Sequence, residues 1–543
     1  MILLFDRCVK YVVATAVPVA GTVQKWQHLV AQCFPAGLLG IVAFALALEV
    51  TDPLGPGLDP DALHYLGAAE SLAAHATYRV PIATWDSADS TSALAHFPPG
   101  YPTAIALGIR LGMPPIQSAR LVQATAAFVT ITTLVLLVSA ASTPLAGIFL
   151  AVCLLATPPM HEVHASVLSE PLFLACLALA VAAMAWRSDR PLWAGIAAAS
   201  GAITRYAGAS LVGAVVLWAL AQPGSVRERL RRAATALFPA LVLEGLWVVR
   251  TRVVAGSGEI REFALYGNLG PMLREGAATL TAWLVPDPNA DLNPIPHRGA
   301  IAVAAAIALG ALVAIGSWHT WRAVRGVRGV RAEDDPRAPL RWRLLRAGAL
   351  VLVCYVAVVL ASRVTADPNI PLDARILAPA LVLVTTLAGA ALGAWWCRTR
   401  QAIPRIAVCG ALLCWWAAAV SSTYDEAQYA LDQGSDFAGE QWRHSELLAW
   451  ARTSGAERPL FSNWPSAVYL HLHRPVRELP RDSNPATLAA FADTLRVRGG
   501  RVLLFDVPTT EFAANAPLLR EPGLRRVART RDGVVLAPSA AVR

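Results

Sequence analysis

Long apolar stretches separated by short charged segments dominate the hydrophobic pattern of this 543-residue chain. A transmembrane helix needs about 20 mostly apolar residues, and fewer when it is buried within a bundle. Such stretches recur eleven times, near residues 29–50, 116–140, 144–160, 167–186, 191–204, 206–221, 233–254, 299–321, 344–363, 375–397 and 404–423. The pattern therefore predicts an all-α polytopic membrane protein with about 11 transmembrane helices.

The composition supports this fold class and excludes several others. Hydrophobic residues make up 56% of the chain and charged residues 15%, with a mean hydropathy of +0.49. A soluble domain carries about 25% charged residues. The eight cysteines include no CxxC pair, so they indicate neither a metal signature nor a disulfide framework. The composition excludes a soluble enzyme, a disordered chain and a disulfide-rich secreted domain.

Arginine supplies nearly all of the net charge of +9, and it is concentrated in the loops between apolar stretches. This placement indicates an orientation signal rather than nucleic-acid binding, so we expect no nucleic-acid partner. The loops at 187–190, 222–232, 322–346 and 398–405 contain 17 arginines and five acids. Residues 51–97 and 255–298 contain four arginines and eleven acids. The first group is predicted to be cytoplasmic and the second to face outward.

The resulting topology is that of a multi-pass protein of the cytoplasmic (inner) membrane. The N-terminal arm, residues 1–28, is predicted to be cytoplasmic and the C-terminus periplasmic or extracellular. Arg250 and Arg252 are exceptions, because they lie at an end that is predicted to face outward. Residues 98–113 are apolar, but they are short, contain Arg110 and are bounded by proline pairs. We interpret them as a helix in the outer interface that does not cross.

The last 120 residues change in character. Residues 501–506 (RVLLFD) resemble a buried strand, and residues 484–496 a capped helix. The sequence thus predicts a transmembrane domain over 29–423, with outer loops at 51–115 and 255–298. A small α/β domain on the outer face would follow over 424–543.

Polar side chains that could carry chemistry gather at the predicted outer face. The first loop contains Asp59, Asp61, His64 and Tyr65, and its apolar spacing predicts a short amphipathic helix over 61–75. Asp59 or Asp61 could cap that helix. A carboxylate held at the membrane surface could equally act as a general base.

Two further loops add candidates. His161, Glu162 and His164 lie between the third and fourth spans, in a spacing that matches no zinc signature. Glu170-Pro171 opens the next helix, where it could simply be a helix start. Arg205, beside Thr204 and Tyr206, and Arg375, after Asp373, could grip a phosphate or snorkel to lipid headgroups.

Five short motifs occur in a fixed order, and together they resemble the GT-C superfamily of integral-membrane glycosyltransferases. The groups that the chain resembles are the protein O-mannosyltransferases, the bacterial lipid A aminoarabinose transferases and the RgtA/B/C/D-like group. The resemblance covers about residues 29–475. The motifs are Asp61-x-x-x-Tyr65, Pro98-Pro-Gly-Tyr-Pro102, Glu170-Pro171, Thr204-Arg205 and Arg375-x-x-x-Pro379.

The resemblance implies transfer of a sugar from a polyprenyl-phosphate donor to an acceptor on the outer face, usually with inversion. Asp61 would be the general base and Glu170 the second acid, which positions the acceptor or binds metal in some members. Arg205 and Arg375 would lie near the donor phosphate. His64, Tyr65, His161, His164, Tyr206 and Asp59 would support the site. A divalent cation at Asp61 and Glu170 stays open, and the lipid-linked sugar is the only cofactor-like molecule implied.

The chain departs from the family pattern at several positions. Ala62 follows Asp61, where a second acid is common, whereas Asp59 precedes it, which leaves two candidate bases. The spacing to Tyr65 favours Asp61. Ile376 follows Arg375, where tyrosine is common. The acceptor could be a protein, a glycolipid or a polysaccharide.

Two other function classes are consistent with a polytopic chain. A transporter or flippase for a glycolipid would favour charges near mid-membrane and inverted repeats, and neither is clear in the sequence. A non-catalytic envelope assembly protein would keep the fold without the chemistry. Of these three classes, only an enzyme should lose its activity when the carboxylate of Asp61 is removed.

Overall fold

The structure is a computed structural model that describes residues 22–52, 54–186, 189–255, 265–266, 269–288, 294–325, 335–366, 370–454, 458–506 and 509–539. The predicted arm at 1–28 lies mostly outside the described residues. The membrane-region helices are α1 (Thr22–Glu49), α4 (Pro115–Ala141), α5 (Pro144–Leu155), α6 (Pro158–Ala165), α7 (Glu170–Trp186), α8 (Pro191–Thr204), α9 (Ala209–Leu220), α10 (Val226–Ala255), α12 (Arg298–Arg325), α13 (Ala338–Thr365), α14 (Ala374–Arg398) and α15 (Ala402–Gln433).

Each of the eleven predicted apolar stretches is helical. Six of the helices, α4, α10, α12, α13, α14 and α15, are long and apolar enough to cross a membrane by themselves. The α5–α6 pair also qualifies, but it is bent by 63° at Ala156-Thr157. The helices α7, α8 and α9 are shorter apolar helices, and in α1 the apolar part is only Cys33–Glu49. The fold is therefore that of a helical membrane protein, and the exact number of crossings remains a prediction.

The bundle has a buried centre and a lipid-facing periphery. The helices α4, α7 and α14 are largely buried, and they pack around Leu134, Phe173 and Leu383. By contrast, α12 and α15 expose most of their apolar side chains, such as Ile307 and Leu413. An apolar surface of this kind is stable when it faces lipid, so these two helices form the edge of the bundle.

One end of the bundle carries the polar loops, and we call it the loop end. Two short helices lie there, α2 (Pro60–His75) and α3 (Gly100–Arg110), with a two-stranded antiparallel pair formed by β1 (Arg79–Val80) and β3 (Ser92–Ala93). The predicted helix over 61–75 is confirmed, one residue longer at its start. The helix α3 has 11 residues, about half of what a span requires, as expected for a segment that does not cross. The helix α11 (Leu269–Leu284) lies in the other long loop.

A six-stranded sheet forms in the C-terminal part of the chain, in the order β2-β5-β4-β6-β8-β7. Its strands are β2 (Ile82–Ala83), β4 (Leu460–Ser462), β5 (Val476–Glu478), β6 (Arg501–Phe505), β7 (Leu524–Thr530) and β8 (Gly533–Pro538). The helices α16 (Glu440–Arg443), α17 (Glu446–Thr453), α18 (Pro465–Leu472), α19 (Pro485–Arg498) and α20 (Thr509–Asn515) accompany it. The predicted strand at 501–506 and the predicted helix at 484–496 are both present, and Asn484 caps the helix.

Two features of this region differ from the sequence expectation. The boundary predicted at residue 424 falls within α15, which continues to Gln433. The sheet also takes its edge strand β2 from the first loop, where Ile82 pairs in parallel with Val476. Buried side chains of the first loop, such as Leu63, share one hydrophobic core with Leu460 and Leu503 of the sheet. The first loop and the C-terminal chain thus fold together.

Arg250, one of the two arginines that break the charge rule, has a structural explanation. Its guanidinium lies over the rings of Tyr78 and Trp247, at 5.6 and 4.7 Å from their centroids. It also donates to the backbone carbonyls of Tyr78, at 2.7 Å, and Leu94. Arg250 therefore anchors the first loop to α10. Arg252 is exposed and makes no such contact with the described residues.

Candidate functional site

Arg375, at the start of α14, binds three carboxyl groups at the loop end. Its Nη1 donates to Oδ2 of Asp59 at 2.9 Å, its Nη2 to Oδ2 of Asp61 at 2.6 Å, and its Nε to Oε1 of Glu170. Three of the five sequence motifs meet at this one guanidinium. The side chain is only 21% exposed, so these ion pairs are little screened by water.

Glu170 is the centre of the cluster, and it is 1% exposed. Besides Arg375, its Oε1 binds Nη1 of Arg205 at 2.6 Å. The same Nη1 donates to Oγ of Ser169 at 3.0 Å, and Ser169 Oγ lies 3.1 Å from the hydroxyl of Tyr65. A buried carboxylate is stable only when it is paired, and two guanidinium groups supply the pairing here.

Asp59 and Asp61 have different roles in the structure. Oδ1 of Asp59 accepts from the backbone N–H groups of Asp61, at 2.9 Å, and Ala62, at 3.2 Å, so it caps the N-terminus of α2. Both oxygens of Asp59 are therefore occupied. Asp61 uses only Oδ2, and its Oδ1 accepts no hydrogen bond from any described residue. Its side chain is also more exposed, at 28% against 14%.

The electrostatics of the cluster follow from burial and from its charge balance. Three carboxyl groups face two guanidinium groups, which leaves one negative charge in excess. Burial, followed by the neighbouring charge of Asp61, raises the pKa of Asp59 to about 7, although Arg375 opposes this shift. Burial lowers the pKa of His64 to about 4, so this imidazole is neutral near pH 7. Burial also raises the pKa of the Tyr65 hydroxyl.

The Pro98–Pro102 element supports the cluster from the side of Arg205. A Cβ on Gly100 would lie 2.7 Å from the carbonyl oxygen of Ile203 and 3.0 Å from Thr204 Oγ1. Only a glycine fits this approach, which brings the second and fourth motifs into contact. Tyr101 is fully buried, and its ring meets that of Tyr65 edge-on at 5.0 Å.

The segment before Arg375 is held from the other long loop. Oε1 of Glu275, in α11, accepts from the backbone N–H of Leu372 at 2.8 Å, and its Oε2 accepts from Arg363 at 2.6 Å. Thr279 donates to the carbonyl of Leu372 at 2.6 Å. Asp373 then caps α14 by accepting from the N–H of Ile376. Sequence reasoning missed Glu275 and Thr279, because nothing in the local pattern links α11 to residue 372.

The other predicted residues lie at the margins. Tyr206 donates to the carbonyl of Ala95 at 3.1 Å, which ties the segment after Arg205 to the first loop. His164 is buried, and its Nδ1 lies 2.7 Å from the carbonyl oxygen of Met160. In the described parts of the chain, no group of three or more His, Cys, Asp or Glu side chains is arranged to hold a metal ion. Asp61 and Glu170, the pair considered for a cation, both bind Arg375.

A polar cavity of about 570 Å³ opens beside the cluster, between α6, α14 and the end of α15. Arg375 and His161 line it, together with six carboxyl groups, those of Asp59, Glu162, Asp373, Asp425, Glu426 and Asp436. Asp436 approaches from the C-terminal part of the chain, where the N–H of Phe437 donates to the carbonyl of Leu58. Sequence reasoning did not find Asp436 or Ser169, because neither lies in a motif of its own.

Comparison with known proteins gives one family match. A family model described as dolichyl-phosphate-mannose-protein mannosyltransferase matches residues 96–248, which is a little over a quarter of the chain. The matched stretch contains Gly100, Glu170 and Arg205, whereas Asp61 and Arg375 lie outside it. No curated protein matches the sequence.

Several solved structures of membrane glycosyltransferases resemble the chain. The arabinofuranosyltransferase AftD from Mycobacteria is 17% identical, with a TM-score of 0.54 over 93% of this chain and 40% of AftD. ArnT from Cupriavidus metallidurans, bound to undecaprenyl phosphate, is 15% identical, with a TM-score of 0.43 over 93% of this chain and 98% of ArnT. The archaeal oligosaccharyltransferase AglB from Archaeoglobus fulgidus, in complex with an inhibitory peptide and a dolichol-phosphate, is 12% identical, with a TM-score of 0.49 over 96% of this chain and 75% of AglB. The family match and the fold shared with AftD confirm the resemblance to the GT-C superfamily.

Proposed function

We propose that this chain, which has the fold of the GT-C membrane glycosyltransferases, moves a sugar from a polyprenyl-phosphate donor to an acceptor hydroxyl at the outer face of the cytoplasmic membrane. The observation that carries the proposal is the convergence of Asp61, Glu170, Arg205 and Arg375 in one partly buried cluster at the loop end. These residues come from four separate segments of the sequence, and each belongs to a different sequence motif.

Asp61 is the general base in this proposal. Attack on the sugar requires a carboxylate within hydrogen-bond reach of the acceptor hydroxyl, about 3 Å. Oδ1 of Asp61 has no donor among the described residues, and Arg375 fixes the other oxygen. Asp59 is a poorer candidate because capping and Arg375 occupy both of its oxygens.

Arg205 and Arg375 stabilise the departing phosphate. The leaving group of a polyprenyl-phosphate sugar is a phosphate, which needs positive charge more than it needs a proton. Guanidinium groups match phosphate oxygens geometrically. Glu170 holds both guanidinium groups in place through one oxygen, so its role is to position them.

The test is sugar transfer by the purified full-length protein in lipid. Radiolabelled polyprenyl-phosphate sugars serve as donors, and cell membranes supply the acceptor. The wild type should release label from one carrier, and Asp61→Asn should lower the rate by roughly 10²-fold or more, which is the scale of general-base catalysis.

Asp59→Asn is the matched control, because asparagine caps a helix about as well as aspartate. It should retain more activity than Asp61→Asn. A larger loss in Asp59→Asn would assign the base to Asp59. Release by wild type and Asp61→Asn at equal rates would contradict the proposal.

A further inference from the structure

An apolar groove lies next to the polar cavity described above and continues it into the membrane region. Its volume is about 230 Å³, and its walls are formed by α1, α4, α5–α6 and α15. The apolar walls include Leu46, Ala47, Ile131, Val420 and Ala427. His161 lines both the groove and the polar cavity, so the two spaces meet at this residue.

A buried imidazole in the groove lacks one of its two partners. His164 lines the groove and is 5% exposed. Its Nδ1 is engaged by the carbonyl of Met160, whereas its Nε2 has no partner among the described residues. An unpaired buried polar atom costs about 1–3 kcal/mol, and a hydroxyl of a bound molecule that spans the groove and the cavity would remove that cost.

The charge of the polar cavity restricts what can occupy it. One arginine faces six carboxyl groups there, and Arg375 is already bound by three carboxylates. Glu162, Asp425, Glu426 and Asp436 make no ion pair or side-chain hydrogen bond within the described part of the chain. Carboxylates accept hydrogen bonds from hydroxyl and amine groups and repel anions. An anionic headgroup is therefore disfavoured beside these four carboxyl groups, which no arginine of the described residues pairs.

We propose that the groove and the cavity together bind the acceptor, and that this acceptor is a membrane lipid with a hydroxylated, non-anionic headgroup, such as a neutral glycolipid. Its hydrocarbon chain lies in the groove between α1 and α15, and its headgroup lies in the acidic cavity beside Asp59 and Arg375. The groove suits hydrocarbon because its helices belong to the membrane region. The term acceptor rests on the proposed transferase function, whereas the lipid site itself does not.

The site is tested with a photoreactive lipid on the full-length protein in phosphatidylcholine nanodiscs. The probe is a glucosyl diacylglycerol with a diazirine in one acyl chain, and a phosphatidylglycerol with the same chain is the anionic comparison. The glucosyl probe should label residues 43–50 and 420–427, and unlabelled glucosyl diacylglycerol should compete. Equal labelling by both probes, or labelling spread over the lipid-facing surface of α12, would overturn the proposal.

Two matched substitutions on α15 test whether the hydrocarbon chain of the lipid lies in the groove. Ala427→Trp fills the groove, whereas Ala417→Trp places the same side chain on an exposed position of the same helix. Loss of contact for about two methylene groups corresponds to roughly tenfold weaker binding. Labelling should fall about tenfold in Ala427→Trp and stay within about twofold in Ala417→Trp. Equal labelling in the two variants would exclude the groove.

The headgroup site is tested separately, through its charge. The double variant Asp425→Asn and Glu426→Gln removes two carboxylates from the cavity, so labelling by the phosphatidylglycerol probe should rise towards that of the glucosyl probe. An unchanged ratio would contradict the assignment of the headgroup to this cavity.

The same preparations separate failure of this inference from failure of the proposed function. Groove labelling without sugar transfer from any carrier would keep the lipid site and overturn the transferase. Transfer that depends on Asp61 but is unaffected by Ala427→Trp would keep the transferase and overturn the lipid acceptor.

Discussion

Arg375 has three carboxylate partners, and its single positive charge cannot balance their three negative charges. Arg205 contributes its charge mainly to Glu170. Taking up one proton would remove the excess negative charge of the cluster. Asp59 is the group that does so, since its pKa is raised to about 7. A protonated Asp59 leaves the charge of Arg375 to Asp61 and Glu170, the two residues assigned to chemistry and positioning.

The raised pKa of Asp59 makes the stability of the protein depend on pH. The folded state holds this proton more tightly than the unfolded chain, in which aspartate has a pKa near 3.9. The contribution of Asp59 is therefore most favourable below about pH 4 and is lost as the pH rises through 7. Asp59→Asn keeps the cap and has no proton to lose, so its melting temperature should fall less than that of the wild type between pH 5 and 8.

The measurement is thermal unfolding across this pH range, with Asp52→Asn as the control. Asp52 lies in the same loop, but its side chain is 66% exposed, so its removal should leave the pH profile unchanged. Parallel profiles for Asp59→Asn and the wild type would exclude the raised pKa.

Glu170 gives a second prediction at this scale. Glu170→Ala leaves two buried guanidinium groups without their shared carboxylate, and losing one partner of a buried pair costs about 3–5 kcal/mol. We expect a large fall in the melting temperature and in sugar transfer. Glu162→Ala is the comparison for the melting temperature, because Glu162 is an exposed carboxylate that makes no ion pair with the described residues. A small effect of Glu170→Ala would show that the arginines find other partners.

Sequence patterns located the residues of the cluster but not their pairing. Asp61, Glu170, Arg205 and Arg375 each belong to a short motif, so the sequence alone predicts them as site residues. The division of roles between Asp59 and Asp61 could not be predicted, because the sequence leaves open whether the helix begins directly after Asp59 or after Asp61. Asp436 enters the cavity from the distant C-terminal chain, and no local pattern marks it.

At the scale of elements, the site depends on two close approaches of backbone. The start of α3 contacts the end of α8 at Gly100, and α11 holds the segment before α14 through Leu372. Both contacts involve residues next to Arg205 and Arg375 in the sequence and not the two arginine side chains themselves. The geometry of Arg205 and Arg375 is therefore set by how these helices meet.

Gly100→Ala tests the first of these approaches. The new methyl group would meet the carbonyl oxygen of Ile203 at 2.7 Å, and backbone cannot move aside as a side chain can. Such overpacking costs about 1–3 kcal/mol, and a displaced Arg205 should slow sugar transfer more than it weakens donor binding. Gly410→Ala, in the open surface of α15, should change neither rate nor stability by a comparable amount.

The sequence predicted the helices of the membrane region well because their signal is long and repeated. Each apolar stretch is more than ten residues long, so hydropathy alone predicts the positions of these helices. The strand β2 has two residues and carries no periodic signal. The continuation of α15 to Gln433 was also missed, since its last turns carry Asp425 and Glu426 and so do not read as part of an apolar span.

At the scale of the whole molecule, the loop end and the C-terminal sheet form one body. The hydroxyl of Tyr469, in α18, donates to Glu70 of α2, and Arg477 of β5 donates to backbone carbonyls of residues 84, 87 and 88. The cluster at Arg375, which includes Asp59 and Asp61 of the first loop, is therefore attached to a layer built from the first loop and the C-terminal chain. In the proposed function, this layer covers the outer side of the site.

The predicted orientation places this layer outside the cell. In a cysteine-free background, Arg531→Cys introduces a thiol at a position that is 91% exposed. Arg227→Cys introduces one at an exposed position in the first turn of α10, at the opposite end of the bundle. A membrane-impermeant maleimide should label Arg531→Cys in intact cells and Arg227→Cys only after permeabilisation. The reverse pattern would invert the topology and move the site to the cytoplasm.

The borrowed strand β2 also has a consequence for synthesis. Arg477 contacts the carbonyl of Thr84 across 393 residues of chain, so the two sides of this sheet edge leave the ribosome far apart in time. At about 5–20 residues per second, the interval is roughly 20–80 s. During that interval β2 has no partner strand, while the helices that follow it in the sequence are inserted into the membrane. The sheet is thus completed last, and its edge can close only on a chain whose membrane part is already in place.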